Sequence, residues 1–585
     1  MSLKPTLLLL LVCHICFSQL SVRNSSYVFI NNQIVFVEDD INLNETASTI
    51  YLRNEAQVIQ GTGTTGNSGE GELTVYQEAN VGEYEYNFWC SPVGNKTNNF
   101  NNNPFGISLL NDVVDLTNSD PAIIAHVTGY NSLSSPLTIE PYWIWKFIAS
   151  DEYSEWIHVL GNTSINSGEG FTMKGTVGSG DAQRYDFRGK PNTGTIAVNV
   201  LANQFTLVGN PYPSALDAFE YIHDTDNAAV ISGTLYYWEQ NPNVNSHNIA
   251  NYDGGYASYT IDALGVETYT PATFRTYDGA GNINGSSGTP PLGKTPRRYI
   301  PVGQGFMVEG TATGMVQAKN NHRVFIKETD ANSEFFKTSS NKTTESKSTN
   351  TTVPNDYKRF RLNIDFNNTY TRQIVETFHP TATGDFDYGL ESKLNENDIL
   401  KSDAYWFVNN KPYIAEALPF DETLTIPIEV RLENDISVRF RIADIQNFKT
   451  NQPIFLHDIE TATYFNLRNQ DFEINLNKGL HTNRFEITFA KNSLDIADNI
   501  FADFKIFQNN NIAQLNLINP TSIAIKSINV FDVSGKRVFA NSINSAESLY
   551  SYSTKSFSDG VYIVKIESLS NEIVNKKIVI SNKNN

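Results

Sequence analysis

The chain has 585 residues, 40% of them hydrophobic and 12% aromatic, and its 63 acidic against 43 basic side chains give a formal charge of −20. That apolar content is too high for a disordered protein, and the length exceeds what one hydrophobic core serves, so several domains are expected. The negative field repels phosphate backbones and anionic lipid, which excludes nucleic acid and acidic membrane surfaces as natural partners.

The N-terminus places Lys4 before the apolar run Leu7 to Val12, which continues through Ile15 and Phe17 to the polar Ser18-Gln19. This pattern reads as a secretory signal peptide over residues 1–19. Its apolar core is far shorter than the roughly 20 residues that span a bilayer, and no later segment qualifies, so no transmembrane segment is expected. Cys13 and Cys16 fall inside the signal, preceded by Val12 and Ile15 rather than by the small residue that lipid attachment requires. Cys90 is then the one cysteine of the exported chain, and an internal disulfide is excluded.

Residues 20–330 read as a β-rich region. From Ser26 to Gln60 the apolar runs are very short, among them Val28 to Ile30, Ile34 to Val37 and Ile50 to Leu52, which suggests the start of a β-solenoid or a tight meander. An internal duplication follows, over about 80–180 and 200–315. The first copy carries Trp89-Cys90-Ser91-Pro92, then Tyr142-Trp143-Ile144-Trp145, then Gly168-Glu169-Gly170-Phe171. The second carries Gly209-Asn210-Pro211-Tyr212-Pro213, then Tyr236-Tyr237-Trp238, then Gly303-Gln304-Gly305-Phe306. Two copies of one β-unit packed together is the economical reading. The glycine element lacks the helix and Lys-Ser/Thr tail of a phosphate loop, so a hairpin or bulge opening a core strand is expected. One short helix is expected over Ser214–Ile222, with Ser214 as its cap.

Residues 331–356 are rich in Ser and Thr and read as a flexible linker, because such a composition cannot offset its ordering entropy by burial. Residues 357–490 read as a β-sandwich module. In Lys358 to Phe366 the residues Phe360, Leu362, Ile364 and Phe366 alternate with Arg359, Arg361, Asn363 and Asp365, which predicts one core face and one wet face. A second linker is expected over 491–502, before a last β-rich block over 503–585. The fold class is therefore all-β and multidomain.

The last block resembles the type A C-terminal sorting domain of proteins exported by the type IX secretion system of Bacteroidota. The resemblance is carried by Ile528-Asn529-Val530-Phe531-Asp532-Val533-Ser534-Gly535-Lys536-Arg537-Val538, by Gly560-Val561-Tyr562-Ile563-Val564-Lys565-Ile566 and by Lys576-Lys577-Ile578-Val579-Ile580. It implies a small Ig-like β-sandwich, the type IX machinery as partner, passage through the periplasm, and removal of the domain at or near the cell surface. The sorting signal then falls on Asp532, Gly535, Lys536, Val538, Gly560, Tyr562, Lys565, Lys576 and Lys577. Where the family often opens with a Tyr-Pro-Asn-Pro turn, this chain has Phe507-Gln508-Asn509-Asn510. Residues 357–489 resemble a module that often precedes this domain, through Phe378-His379-Pro380 to Tyr388-Gly389, Ile454 to Asp458 and Arg484-Phe485. Ile50 to Arg53, Tyr86 to Trp89 and Asn210 to Pro213 are similar to the front of large secreted proteins of the same bacteria. These resemblances imply an address and no activity.

The common signatures of zinc proteases, serine hydrolases, nucleotide-binding loops and zinc sites are absent. Nine histidines are scattered without metal-ligand spacing, with His379 and His457 expected at a turn and a sandwich edge. No catalytic residue, metal ligand or cofactor is assigned. Asp385 and Asp387 offer alternating oxygen donors that suit calcium, although an Asp turn closed by its own backbone outweighs that reading. Trp143, Trp145, Trp156, Tyr236 and Trp238 are candidate stacking platforms for sugar rings, weighed against a core role, since Trp143 and Trp145 share one strand face. The favoured function is a noncatalytic secreted or cell-surface protein in adhesion or in glycan or matrix contact. The alternatives are a secreted polysaccharide-degrading enzyme with an unrecognised N-terminal catalytic region and a structural surface spacer.

Overall fold

Short apolar runs separated by asparagine corners form three stacked parallel ladders. Leu20–Val22, Ile41–Leu43 and Ser68–Gly69 make the first, Tyr27–Asn31, Thr49–Arg53 and Glu72–Ala79 the second, and Ile34–Val37 with Gln57–Gln60 the third. In the register Ile30↔Leu52↔Val75 the same apolar position recurs on each rung and fills the solenoid core. Asn32 and Asn54 adopt left-handed φ of 60° and 51° at equivalent corners, a conformation that Asn tolerates better than most residues. The structure, a computed structural model, describes residues 19–63, 65–79, 82–96, 101–161, 163–178, 183–289, 295–329, 332–336, 353–395, 398–491, 501 and 504–582. Residues 1–18 of the expected signal peptide, 331 and 337–352 of the first linker, and 492–500 and 502 of the second lie outside them.

The last solenoid strand, Glu72–Ala79, pairs antiparallel with Gln183–Pro191 and hands the stack over to the duplicated region. The two copies are equivalent in register. Gly170 faces Cys90 and Phe171 faces Trp89 in the first, as Gly305 faces Gly209 and Phe306 faces Val208 in the second. The copies then cross reciprocally, since Trp89 bridges Gln304 while Glu169 bridges Val208. Each copy thus offers the same patch to the other, the arrangement of an internal two-fold.

This crossing explains the glycine element more fully than a hairpin or bulge does. A Cβ on Gly305 would lie 2.8 Å from the Phe88 carbonyl carbon and the Trp89 nitrogen, and one on Gly209 would lie 2.4 Å from the Cys90 Cβ. Backbone cannot yield as a side-chain tip can, so Gly305→Val is expected to cost more than about 3 kcal/mol. A urea unfolding midpoint equal to that of the parent chain would show that the crossing does not depend on this approach. Cys90 is fully buried at the same junction, and burial pushes its thiol well above the ordinary range.

The helix starts later than expected. Ala215–Asp217 is a strand and the helix is Ala218–His223, because the Asp217 carboxylate rather than Ser214 caps it, accepting from the Phe219 N–H at 2.9 Å. Ser214 is buried and accepts instead from Arg323.

Residues 353–490 build one continuous sheet that curls nearly closed around a single core. Its strand order is Thr463–Asn466, Phe455–Asp458, Gly479–Thr488, Thr425–Leu432, Asp403–Val408, Lys411–Leu418, Tyr370–Phe378, Lys358–Phe366, Ile436–Gln446 and Phe472–Leu476. One face of Lys358–Phe366 supplies Phe360, Leu362, Ile364 and Phe366 to that core. The other face, expected to be wet, is buried. Arg359 donates to the Glu267 carbonyl at 3.0 Å and to Thr268 Oγ1 at 2.7 Å, and Arg361 donates to the Tyr269 carbonyl at 2.7 Å. A strand charged on one face looks the same in sequence whether that face meets water or the carbonyls of a neighbouring sheet. Burial, with the adjacent Arg361, lowers Arg359 to about 9. Further ties join Arg372 to Thr273 Oγ1 and the Tyr388 hydroxyl to the Ile222 carbonyl. The parts on either side of the Ser/Thr-rich segment therefore belong to one compact unit over residues 1–490.

Residues 491–585 form a second unit. A three-stranded sheet of Lys505–Asn509, Gln514–Ile518 and Leu549–Ser553 and a four-stranded sheet of Arg537–Ser545, Ile525–Asp532, Gly560–Ser568 and Ile573–Ile580 share one core. The protein is all-β, and no described helix is long and apolar enough to cross a membrane.

Candidate functional site

The crossing of the two copies leaves side chains of both on one face, and they floor a cleft of about 470 Å³. Phe88 and Thr172 come from the first copy, on Tyr86–Cys90 and Gly170–Lys174, and Met307 comes from the second, on Gly305–Gly310. On the strand Ile231–Gln240 period two sorts the aromatics, with Tyr237 in the core and Tyr236 and Trp238 toward the cleft. The Trp238 indole lies against Gly254, where a Cβ would sit 2.7 Å from its Cζ2. Trp145 stacks one face on His158 at 4.4 Å, and Trp156 packs on Phe147 at 4.8 Å. The Tyr153 ring covers Gly281, whose φ of +86° and bare Cα admit it.

The polar part of the cleft is small. Arg275 is buried and pairs with Asp398, which the curled sheet contributes together with Asn395. The Asp398 side chain is 32% exposed, whereas Arg275 is 9% exposed. Asp151 and Glu152 stand exposed at the rim. Burial raises the phenols of Tyr236, Tyr256 and Tyr277, the last to about 12, so all three are neutral at physiological pH.

Of the five aromatic candidates, Trp145, Trp156, Tyr236 and Trp238 line this cleft and Trp143 does not. Trp143 and Trp145 do not share a strand face. Pro141 and the Glu140 carboxylate, which accepts from the Tyr142 N–H, turn Pro141–Trp143 into a 3-10 helix, and Trp143 packs behind the lining residue Tyr86. There it stacks on His247 at 4.7 Å and lies 3.8 Å from the Lys174 ammonium, which Tyr86 and Tyr252 also enclose. Burial pulls Lys174 down to about 6, against the cation–π attraction of these rings.

The calcium candidates diverge. Asp385 is exposed, and Asp387 accepts from the Thr383 N–H at 2.6 Å and hydroxyl at 3.1 Å, a turn closed by its own backbone. Among the described residues no group of three acidic, His or Cys side chains is placed to hold a metal. His379 follows the strand Tyr370–Phe378 and stacks on Tyr357, and His457 stacks on Tyr464 at 4.0 Å beside Glu486.

In the second unit, Asp532 Oδ1 accepts from the Ser534 and Lys536 N–H groups, and Gly535 takes φ +83°, closing the hairpin between Ile525–Asp532 and Arg537–Ser545. Val538 follows on the outer strand and is 38% exposed. Gly560 opens the strand on which Tyr562 is buried and Lys565 points outward, with Tyr562 opposite Asp532. Lys576 and Lys577 are exposed on the last strand, in register with Val564 and Ile563.

Comparison with known proteins gives the address and the family. A domain of unknown function, DUF8693, matches residues 125–489, more than half of the chain. The chain belongs to the DUF8693 family. The DUF8693 region spans most of the duplicated β-unit and the whole curled sheet, and the cleft is lined almost entirely from within it. The secretion system C-terminal sorting domain matches residues 506–581, so the protein is a client of the type IX secretion machinery and is secreted or held at the cell surface. No curated protein matches the chain. Among solved structures, the BSP domain of a biofilm-associated protein is 11% identical over 76% of this chain and 88% of that one, with a TM-score of 0.12. The extracellular domain of a putative one-component system from B. thetaiotaomicron is 10% identical over 65% and 60%, with a TM-score of 0.10. Likenesses of that size bear on neither fold nor function.

Among the lining residues that no motif of the sequence pointed to are Tyr256, Arg275 and Asp398, which belong to three separate segments. Gly254-Gly255 and Gly281 were the available hints, as glycines that let Trp238 and Tyr153 lie flat on the backbone.

Proposed function

We propose that this protein is a noncatalytic binding protein that acts outside the cell in adhesion, by contacting a glycan or glycan-containing matrix through the cleft between its duplicated β-units. The observation that carries this reading is the convergence of Trp145 and Trp156 with Tyr236 and Trp238, from two separate stretches of the sequence, on one open apolar cleft with a single charged pair in it. Flat amphipathic rings bind the C–H faces of sugars, while neutral phenols and a carboxylate serve the hydroxyls. The carboxyl groups that burial raises, among them Glu267, Glu309, Glu376, Glu391 and Glu416, line no part of the cleft, which supports binding over acid–base hydrolysis. The N-terminal signal over residues 1–19 supplies the first export step, and the sorting domain the second.

A glycan array probed with the mature chain is expected to show retention on at least one class of saccharide. Trp238→Ala is expected to weaken that retention at least about tenfold, the equivalent of roughly 1.4 kcal/mol, with the chain still folded. An array on which nothing is retained would remove the reading.

A further inference from the structure

The cleft also carries information about the charge of its ligand. We infer that it selects uncharged, hydroxyl-rich sugar chains over uronate or sulfate-bearing ones, an inference that rests on the saccharide reading above.

Three observations lead there. The lining holds Asp151, Glu152 and Asp398 against one cation, Arg275, whose charge Asp398 already meets. An anionic sugar entering this lining finds two uncompensated carboxylates at the rim and no free cation among the described lining residues. Like charges brought together in a half-desolvated cleft repel by more than they do in water. Second, Asp398 keeps a partly exposed carboxylate in the cleft, while Arg275, its ion-pair partner, is buried. An exposed carboxylate is met by a ligand group that donates, which a hydroxyl does and an ionised carboxylate or sulfate does not. Third, the remaining wall is aromatic, with Trp145 offering the face that His158 leaves open and Tyr153, 57% exposed, lying over the mouth. Ring faces of this kind take up the apolar side of a pyranose without demanding charge.

Asp398 is therefore the specificity-determining residue, and Arg275 positions it. Binding of an uncharged chain through such contacts is nearly independent of ionic strength, whereas binding of a charged chain is screened by salt.

The test uses the full mature chain in affinity electrophoresis and titration calorimetry against a neutral β-glucan, a neutral galactomannan, alginate as the uronate polymer and chitosan as the cationic one, at low and at physiological salt. The expected result is retention by a neutral polysaccharide, unchanged by salt, with alginate at least tenfold weaker. Asp398→Asn, which keeps a hydrogen-bonding partner for Arg275, is expected to lose at least tenfold in affinity for the neutral chain at an unchanged near-ultraviolet spectrum. If that variant does not fold, Asp151→Asn with Glu152→Gln carries the test, since removing the rim charges is expected to raise alginate retention. Alginate bound as tightly as the neutral chains, binding to chitosan alone, or rim variants that leave alginate retention where it was would overturn the selectivity and leave the saccharide reading standing. No retention by any of the four polymers would fall on the saccharide reading itself.

Discussion

Glu416→Gln is expected to make the protein more stable than the parent chain at pH 8 and to leave it unchanged near pH 4. Glu376 and Glu416 are register partners on the parallel strands Tyr370–Phe378 and Lys411–Leu418, and Glu391 precedes Ser392, which pairs with Ala415 on the same strand. All three carboxyl groups are buried, and both Glu376 oxygens together with one each of Glu391 and Glu416 have no hydrogen-bond partner. Burial, then the neighbouring acids Glu391 and Asp387, push Glu416 up to about 9, and burial with Asp387 pushes Glu391 up to about 8, while Lys393 acts in the opposite direction on Glu391. Glu376 is raised well above the carboxylate range by burial, Glu416 and Glu391. A folded pKa above the unfolded one means that the native state holds the extra proton, so stability is full below about pH 4.5 and falls as pH rises toward about 9. At pH 7 the unfolded chain has already released that proton, and keeping it in the native state costs about 3 kcal/mol for Glu416. Glutamine removes the titration and keeps the shape. Thermal unfolding from pH 4 to pH 9 checks this. A gain equal at both ends would reflect packing rather than protonation, and a loss at pH 8 would mean that the carboxylate is charged and paired there.

Deleting residues 491–585 is expected to abolish surface delivery and leave a folded chain in the periplasm. The cut falls at the boundary of a compact unit, so the strands and core of residues 20–490 stay intact. What is lost is the sorting domain and its exposed face, including the Asp532–Lys536 hairpin and the Lys576-Lys577 strand. Cell fractionation with protease accessibility reads the outcome, and delivery of the truncated chain to the surface at the parental level would refute the role of this domain.

The legibility of the fold follows the range of the interactions. Period-two alternation, very short apolar runs and the ordered repeat of Pro turn, aromatic segment and Gly-x-Gly-Phe are local, and they disclosed the all-β class, the choice between a solenoid start and a tight meander, and the duplication. Local chemistry also misled. Ser214 is a good cap residue, yet Asp217 caps the helix, because the strand Ala215–Asp217 pairs with Tyr299–Ile300 and delays the start. The spacing of Trp143 and Trp145 fits a strand, yet Pro141 imposes a turn. The charged face of Lys358–Phe366 fits a wet surface, yet it is the seat of the second copy, where Arg359 and Arg361 each donate to one of its backbone carbonyls.

The acidic net charge, the motifs of the sorting domain and the aromatic inventory were thus set by composition and local pattern, which need no knowledge of what lies across the fold. The cleft was decided by tertiary structure alone. It exists because two glycine elements cross at backbone contact distance, because Gly254 and Gly281 let aromatic rings lie on the chain, and because a curled sheet about 120 residues away in sequence brings Asp398 to Arg275. None of these approaches is a property of a segment, and only the packing of segments against each other creates them.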